Sequence, residues 1–424
     1  MLLTMYKVGF GDCFKFEETI SKSIINNTSS FECQNSISYK MLVDCGSKNA
    51  ELSGFGKFDK FVDFVYSDIF ISPDTEQVKR YALLTHFHED HYKGFLKLSD
   101  KLKNDEDRFD KFYVPYITWS NKKALIFVKA AVYLYCFGLK QEESSFFLFK
   151  QIQMLRNSVK NLSDICCLKT DDTFKFGNIK FKVLWPEFPK GTHAKKIENL
   201  LAKIDDVINN KNELSMLTDK FLNNLSRFYE LINNNDKKNS NDTEQIIDEI
   251  LKSQQDFLRL LNTQRNTFTE KSNDFFSMIE KLKTLFKEGV NATSIVFCDN
   301  NCKLLMMGDV TTDVIDTHLF KKNWEYIKSE DVVFNYLKAP HHGTGTHYTI
   351  NIPATKKILI STGKFGSYGK ISDDYYEHRL SEGSKICTSG NDWCNVIKKG
   401  KRCKNGSMCE ISDNPERNVI EIDL

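Results

Sequence analysis

A strand-like run that ends in a cluster of histidines restricts the fold of this chain more than any other segment. Residues 78–85 (VKRYALLT) have the character of a buried β-strand, and they continue directly into residues 86–91 (HFHEDH). Three histidines, one glutamate and one aspartate therefore fall within six consecutive positions. Imidazole and carboxylate groups are good ligands for zinc, manganese and iron. The sequence predicts a metal site on a turn that a buried strand holds in place.

The spacing inside this cluster divides its residues into two pairs. His86 and His88 lie two positions apart, so both side chains can reach one ion. Asp90 and His91 follow, and they are placed to reach a second ion beside the first. Glu89 alternates away from these four, and we expect it at the surface or behind the ligands.

Composition limits the remaining classes of function. The chain has 424 residues, more than one compact core usually contains, so we expect one large domain with an insertion or two domains. Its formal net charge of +2 gives no general attraction to nucleic acid or to an anionic membrane. No signal peptide is visible, and no run approaches the ~20 apolar residues of a spanning helix. We expect a cytoplasmic protein with no membrane partner, whose 12 cysteines are mostly reduced thiols.

Strand-like runs lie on both sides of a long segment with helical character. Residues 194–288 contain almost no Gly or Pro, and apolar residues recur at helical spacing, as at Leu200, Ile204 and Ile208. This pattern predicts a helical hairpin or small bundle inserted into an α/β domain, with a structural role. We divide the chain into a first half (1–193), a helical insertion (194–290) and a second half (291–424) that includes a Cys-rich segment (385–410).

The histidine cluster resembles the H-x-H-x-D-H signature of the metallo-β-lactamase superfamily. Three more segments resemble motifs of that superfamily in the same order, namely MLVDCGS (41–47), LLMMGDV (304–310) and LKAPHHGTGTH (337–347). A finer resemblance is to the branch typified by the soluble domain of the DNA-uptake protein ComEC/Rec2. Motifs of that branch are matched by VGFGDC (8–13), LWP (184–186), NATS (291–294), KAPHHGT (338–344) and the Gly-rich segment 360–369.

The resemblance implies a fold and a set of metal ligands. The fold is a four-layer αββα metallo-β-lactamase sandwich, with two divalent ions, Zn²⁺ or Mn²⁺, at one edge between its sheets. In this arrangement His86 and His88 hold the first ion, and Asp90 and His91 hold the second. Asp309 bridges the two ions.

Further positions are implied around this pair of ions. His342 or His341 completes the second site, and we favour His342 as the ligand, with His341 near the substrate. Asp44 is expected to anchor the ligand turn from behind, and Asp12 to lie near the site as a structural residue. Many members of the superfamily supply one more histidine to the first ion, and only His193 lies in that interval here. Its polar surroundings favour a solvated side chain, which leaves the first ion short of a ligand.

Several polar side chains are candidates for contacts with the substrate. Lys338, Thr344, Ser361 and Tyr368 supply donors for anionic oxygens in positions that surround the site in the ComEC-type branch. Asp90 would orient the nucleophile. His341, Lys338 or Tyr368 would assist the leaving group, and the sequence does not choose among them.

The C-terminal segment contains a second group of possible metal ligands. Its cysteines are separated by six, eight and five residues, at Cys387, Cys394, Cys403 and Cys409. Structural zinc sites normally use closer C-x2-C pairs, so these four residues predict either a structural zinc or free thiols in a long loop. The neighbouring basic run KKGKRCK (398–404) predicts either a contact with nucleic acid or a solvated surface.

The resulting hypothesis is a metal-dependent hydrolase. A hydroxide shared by two divalent ions would attack a phosphodiester, with nucleic acid as the first substrate class to consider. Alternatives are the hydrolysis of a small phosphoester or cyclic nucleotide, and a metal-binding module that docks a partner through its helical insertion. The resemblance also implies an effector of a bacterial multi-protein, defence-type system, with an ATPase-type partner or self-association through the insertion.

Overall fold

The computed structural model of the chain has a mixed α/β fold. It describes residues 1–23, 34–52, 54–72, 77–103, 108–115, 125–137, 143–187, 192–208, 212–233, 245–256, 259, 273–323, 333–363, 371–372, 374–377, 380–387 and 419–424. Most described strands belong to two seven-stranded sheets, and a short hairpin is formed by β4 (Glu51–Leu52) and β5 (Gly56–Lys57).

The first sheet joins the end of the chain to its first half. Its strands, in spatial order, are β16 (Val419–Asp423), β1 (Leu2–Tyr6), β2 (Cys13–Ser23), β3 (Gln34–Cys45), β6 (Gln77–Leu83), β7 (Lys111–Pro115) and β8 (Ile165–Leu168). Pairing is antiparallel from β16 to β3 and parallel from β3 to β8. Because β3 and β6 are parallel, with Val43 opposite Leu83, the segments that follow them leave the sheet at the same edge.

The second sheet contains strands from the middle and the second half of the chain. In spatial order they are β15 (Leu380–Cys387), β14 (Thr355–Ile360), β13 (Phe334–Lys338), β12 (Leu304–Met306), β11 (Val296–Asp299), β10 (Ile179–Trp185) and β9 (Thr173–Phe176). Strands β12 to β15 are parallel, and those from β9 to β12 pair antiparallel. Strands β9 and β10 form a hairpin, and Gly177 supplies a left-handed residue (φ +57°) at its turn.

Helices connect strands of the first sheet and occupy the segment between β10 and β11. They are α1 (Phe58–Phe70), α2 (Glu89–Leu102), α3 (Leu125–Phe137), α4 (Glu143–Ser158), α5 (Thr192–Ile208), α6 (Asn212–Asn233), α7 (245–256), α8 (Asn273–Asn291) and α9 (Asp374–Glu377). A π-helix spans Val314–Asn323. Two 3₁₀ turns, Pro340–Gly343 and Gly345–His347, follow β13.

Three apolar clusters hold these elements together. One contains buried side chains of both sheets, such as Phe16 and Phe181, whose rings stack with centroids 5.9 Å apart, so the two sheets face each other. A second cluster packs one face of the first sheet against side chains of α1 to α8. A third packs the second sheet against the π-helix and Tyr375 of α9. Burial of apolar surface on this scale is the main favourable term in folding.

The predicted helical character of residues 194–290 is found in α5 to α8. These helices share the apolar cluster of α3 and α4, and Lys129 of α3 pairs with Asp205 of α5 at 2.6 Å. The segment is therefore continuous with the core of the first half through this cluster. The proposed division into halves and an insertion stays a prediction.

Some predictions fall outside the described residues. Among them are Tyr368, the cysteines 394, 403 and 409 and the basic run 398–404, and Cys387 is placed only as the last residue of β15. The cysteines that are described with their side chains are free thiols, at Cys13, Cys45, Cys166, Cys167, Cys298 and Cys302. Within the described part of the chain, no helix combines the length and apolar character that crossing a bilayer requires.

Candidate metal centre

Parallel neighbours in both sheets deliver the candidate residues to one place. Asp44 is the penultimate residue of β3, and the histidine cluster follows β6. In the second sheet, Asp309 follows β12 and the two histidines 341 and 342 follow β13. A backbone hydrogen bond from the amide of Ile295 to the carbonyl of Thr85 (2.9 Å) joins the two sheets beside the site.

Asp44 fixes the start of the histidine cluster. Its Oδ1 accepts a hydrogen bond from the amide of Thr85 (2.7 Å), and its Oδ2 accepts one from the hydroxyl of Thr85 (2.7 Å). Oδ2 also lies 2.8 Å from Nδ1 of His91. The carboxylate therefore orients the His91 ring and leaves Nε2 of that ring facing the centre, as supporting residues do at metal sites.

The end of the cluster forms the first turn of a helix, where the sequence predicted only a turn. His88 is the extended N-cap of α2 (φ −95°, ψ 150°), and Glu89 and Asp90 occupy its first turn, where acidic residues favour a helix N-terminus. Gly46 permits this arrangement, because a Cβ there would lie 2.3 Å from the backbone of Asp90. The ligand positions are thus held by a helix as well as by a strand.

One carboxylate oxygen is the focus of the histidines. Oδ2 of Asp309 lies 3.1 Å from Nε2 of His91, 3.5 Å from Nε2 of His342, 3.8 Å from Nε2 of His86 and 3.9 Å from Nε2 of His341. His91, His342 and His86 are fully buried, whereas the side chain of His341 is 22% exposed. The predicted bridging residue therefore lies at the centre of the predicted ligands, and His341 lies on the open side.

Asp90 and His342 meet on one side of this focus. Oδ2 of Asp90 lies 3.3 Å from Nε2 of His342, and Nδ1 of His342 lies 3.0 Å from the carbonyl oxygen of Ser361. Among the described residues, four sets of three side chains have ligand atoms within 4.8 Å of one another: His86, His91 and Asp309; Asp90, His91 and His342; Asp12, Asp44 and His91; and Asp12, Asp309 and His342. His342, rather than His341, is in the set that contains Asp90.

His86 and His88 face each other on the other side. Nε2 of His86 lies 3.2 Å from Nδ1 of His88, and Nδ1 of His86 lies 3.1 Å from the hydroxyl of Thr85. Nε2 of His88 is buried and has no hydrogen-bond partner among the described residues. A neutral imidazole has one nitrogen that donates a hydrogen bond and one with a free lone pair. Two ring nitrogens that face each other can therefore both direct their lone pairs at a shared cation.

Lys338 lies behind the ligands and not on the substrate side. Its ammonium group is 1% exposed and contacts a carboxylate oxygen of Asp12, Oδ1 of Asp309 (3.3 Å) and the carbonyl oxygen of Gly308 (2.9 Å). Three acceptors match the three donors of an ammonium group. Lys338 therefore holds Asp309 in place, and this geometry leaves it no donor for the leaving-group role suggested by the sequence.

Two more predicted residues, Thr344 and Ser361, lie beside the histidines of the centre. Thr344 accepts or donates a hydrogen bond at Nδ1 of His341 (2.7 Å), and Ser361 is buried beside His342. His193 is the second residue of α5. The ring of His347 lies against that of His341, with centroids 3.9 Å apart. Nε2 of His347 is 3.5 Å from the side-chain Nδ2 of Asn291, the last residue of α8.

Two residues with clear contacts here were missed in the sequence. Thr85 links Asp44 to His86, and Lys48 places its ammonium 3.6 Å from Oδ1 of Asp90. Thr85 could have been found from its place before the cluster, but a threonine at the end of a strand is common. The contact of Lys48 depends on the packing of α2 against the segment after β3, for which the sequence carries no signal.

Nearby cations lower the pKa of three buried acids of the site, Asp12, Asp90 and Asp309, whereas burial raises the pKa of Asp44. Four buried carboxylates take part, at Asp12, Asp44, Asp90 and Asp309. Burial raises the pKa of Asp309, but the charges of His91 and His342 outweigh it and hold the pKa well below its usual value. Burial also raises the pKa of Asp90, and Lys48 leads the groups that bring it well below normal. Displacement of the protons on His91 and His342 would leave more negative than positive charge among these groups, which favours bound cations.

The histidines divide into neutral and protonated groups. Burial lowers the pKa of His88 to about 3 and that of His86 well below normal, so both rings are neutral and have a lone pair for a metal. Burial also opposes protonation of His91 and His342, but the charge of Asp309 leads the groups that raise the His91 pKa well above normal and that of His342 to about 9. Bound cations would replace these two protons.

Metal affinity is expected to rise with pH between about 6.5 and 9. In the metal-free protein His342 has a raised pKa, so its stabilising protonation is complete below its unfolded pKa and is lost as pH approaches 9. A cation must displace that proton, which makes affinity increase about tenfold per pH unit for each proton released. Competition with a chromophoric chelator at several pH values in this window measures the slope. A flat profile would contradict this proton exchange.

Asp44→Asn is expected to weaken metal binding about 10- to 100-fold, the usual cost of losing a partner of a ligating histidine. Asparagine keeps the shape of Asp44 but replaces an oxygen that accepts from Thr85 and His91 with a donor. The same chelator competition measures the effect. The matched control is Asp110→Asn, because Asp110 also accepts a backbone amide of the first sheet (Arg80, 2.8 Å) but is not in the histidine cluster. Equal loss in both variants would count against the anchoring role.

No protein-family model and no curated protein matches this chain. The interpretation of the site therefore depends on its geometry. The donor set of imidazole nitrogens and carboxylate oxygens, its burial and the unpartnered nitrogen of His88 all fit divalent cations such as Zn²⁺ or Mn²⁺.

Proposed function

We propose that this chain is a metallo-β-lactamase-type hydrolase that cleaves phosphodiesters with two divalent cations. The observation that carries the proposal is the convergence of four histidine Nε2 atoms on Oδ2 of Asp309, at 3.1 to 3.9 Å. A buried carboxylate at the focus of several imidazoles suits a group that bridges two cations. Burial of this many ionisable side chains is costly unless opposite charges, such as bound cations, compensate them.

The arrangement of layers supports the same proposal. The two sheets face each other through one apolar cluster, and helices pack on each sheet through two further clusters. This is the order expected for a four-layer αββα sandwich. The candidate ligands lie where strands of both sheets end, which is where the resemblance to the metallo-β-lactamase superfamily implies the metals.

The residues of the chain have separate tasks in this proposal. His86 and His88 would hold one cation, and Asp90, His91 and His342 would hold the other, with Asp309 between them. Two bound cations would supply a hydroxide nucleophile near neutral pH and neutralise charge that grows on the phosphoryl oxygens. His341, whose side chain is 22% exposed, would contact the substrate and is the group placed to assist the leaving oxygen.

The substrate class follows from the ComEC-type motifs and from the charge at the site. A phosphodiester carries one negative charge. It would meet the cations and the ammonium of Lys48, whose partly exposed side chain lies beside Asp90. Nucleic acid is the first phosphodiester to test. The net charge of +2 favours recognition by this local site over a general attraction to the polymer.

The test is cleavage of a panel of substrates by the purified protein. Single- and double-stranded DNA and RNA, a cyclic nucleotide and a small phosphomonoester would be incubated with Zn²⁺, Mn²⁺ or Mg²⁺. Asp90→Asn is run in parallel, and Asp110→Asn controls for a general effect of losing a partly buried carboxylate. Cleavage of a polymer that is lost only in Asp90→Asn supports the proposal.

The other outcomes separate the alternatives. Turnover of the cyclic nucleotide or the monoester alone would replace the proposed substrate class. Metal binding without turnover of any substrate would contradict the hydrolase and favour a metal-bound docking module.

A further inference from the structure

Lys48 lies between two acidic side chains at the edge of the candidate centre. Its Nζ is 3.3 Å from Oε2 of Glu89 and 3.6 Å from Oδ1 of Asp90. The other oxygen of Asp90, Oδ2, is the one that faces His342 at 3.3 Å. The two oxygens of Asp90 therefore have different neighbours: one faces the ligand cluster and one faces a cation.

Glu89 has a second cationic partner. Its Oε1 lies 2.6 Å from Nζ of Lys93, one helical turn later in α2. Glu89 is the acid inside the histidine cluster that has no place among the candidate ligands. Because Lys93 stays on Oε1, Glu89 keeps an ion pair when Lys48 moves away from Oε2.

The backbone near Lys48 is fixed, whereas its side chain reaches solvent. The amide of Lys48 donates to the carbonyl of Phe10 (2.8 Å), and the preceding residue, Ser47, is fully buried. The side chain of Lys48 is 22% exposed, against 1% for Lys338 on the other side of the centre. Of these two lysines that touch candidate ligands, Lys48 is the one that a substrate can reach.

We infer that Lys48 is a substrate-binding residue that exchanges Glu89 for an anionic oxygen of the phosphodiester. The inference rests on the proposed function and names the cation that recognises the charge of the substrate. Lys48 has a compact ammonium on a flexible stem, which suits such an exchange. Glu89 then serves to hold Lys48 at the edge of the site before the substrate arrives.

The experiment compares Lys48→Met with Lys48→Arg and with the matched control Lys93→Met. Lys93 shares Glu89 with Lys48 but has no ion pair with Asp90. Hydrolysis of bis(p-nitrophenyl) phosphate is followed at saturating metal, and inorganic phosphate is used as a competitive inhibitor. Thermal unfolding and metal content establish that each variant is folded and loaded.

Lys48→Met is expected to raise KM and the phosphate inhibition constant about tenfold, as loss of a charge-assisted contact does, with kcat much less affected. Lys48→Arg is expected to restore most of both constants, and Lys93→Met to resemble the wild type. A fall in kcat with unchanged KM and inhibition constant would overturn the inference, as would equal effects of Lys48→Met and Lys93→Met. A wild-type protein that binds metal but hydrolyses no phosphodiester would instead overturn the proposed function, and this role with it.

Discussion

Asp309→Asn is expected to lower turnover at least ~10³-fold and to reduce the number of tightly bound ions. The substitution keeps the size of the side chain but removes the negative charge on which His86, His91, His341 and His342 converge. Bound cations stabilise the transition state by several kcal/mol, and each ~1.4 kcal/mol corresponds to a tenfold change in rate. Metal content after dialysis and kcat for a phosphodiester measure the two effects.

Asp299→Asn is the matched control for this prediction. Asp299 is also a buried aspartate of the second sheet, but it is the last residue of β11 and lies near the start of β12, whereas Asp309 follows the end of β12. It accepts hydrogen bonds from the amides of Asn301 (3.0 Å) and Leu304 (2.7 Å). Its loss should lower stability without changing metal content. Retention of two ions and of turnover in Asp309→Asn would contradict the bridging role.

Lys338→Met is expected to destabilise the metal-free protein by about 3–5 kcal/mol, the usual cost of removing one partner from a buried ion pair. Without the ammonium, the carboxylates of Asp12 and Asp309 stay buried at 1% exposure or less without the charge that compensates them. Unfolding in urea in the presence of a chelator measures the loss.

A double variant and a control separate charge from packing. Asp12→Asn combined with Lys338→Met removes a buried charge of each sign, so its loss should be smaller than the sum of the single losses. Lys15→Met is the control, because Lys15 is also a buried lysine between two acids, Glu17 (2.9 Å) and Asp68 (2.8 Å). These acids are 29% and 25% exposed and can be solvated, so the expected loss is smaller. Equal losses for Lys15→Met and Lys338→Met would show that the buried charge is not the cause.

Local patterns predicted much of the fold. The strand before the histidine cluster and the helices of residues 194–290 each carry their own signal in apolar character or spacing. The order of strands in the sheets could not be predicted in the same way. The pairing of β1 with β16 joins residues more than 400 positions apart, and it depends on packing between the two sheets.

The candidate site shows the same division between local and distant information. The histidine cluster indicated His86, His88, Asp90 and His91 directly, because four residues able to bind a metal rarely occur at such close spacing by accident. The start of α2 at Glu89 was not anticipated, since it depends on the contact of its first turn with the glycine after β3. The setting of Lys338 was also missed, because only burial distinguishes a supporting lysine from one that binds substrate.

The most direct test of the account is the dependence of phosphodiester cleavage on the number of bound ions. The protein would be stripped with a chelator and reloaded with zero to three equivalents of Mn²⁺ or Zn²⁺ while metal binding and turnover are measured on the same samples. Two ions are expected to bind tightly, and turnover, absent in the stripped protein, is expected to reach its maximum near the second equivalent. Full turnover in the stripped protein, or no tight binding of either metal, would contradict this expectation.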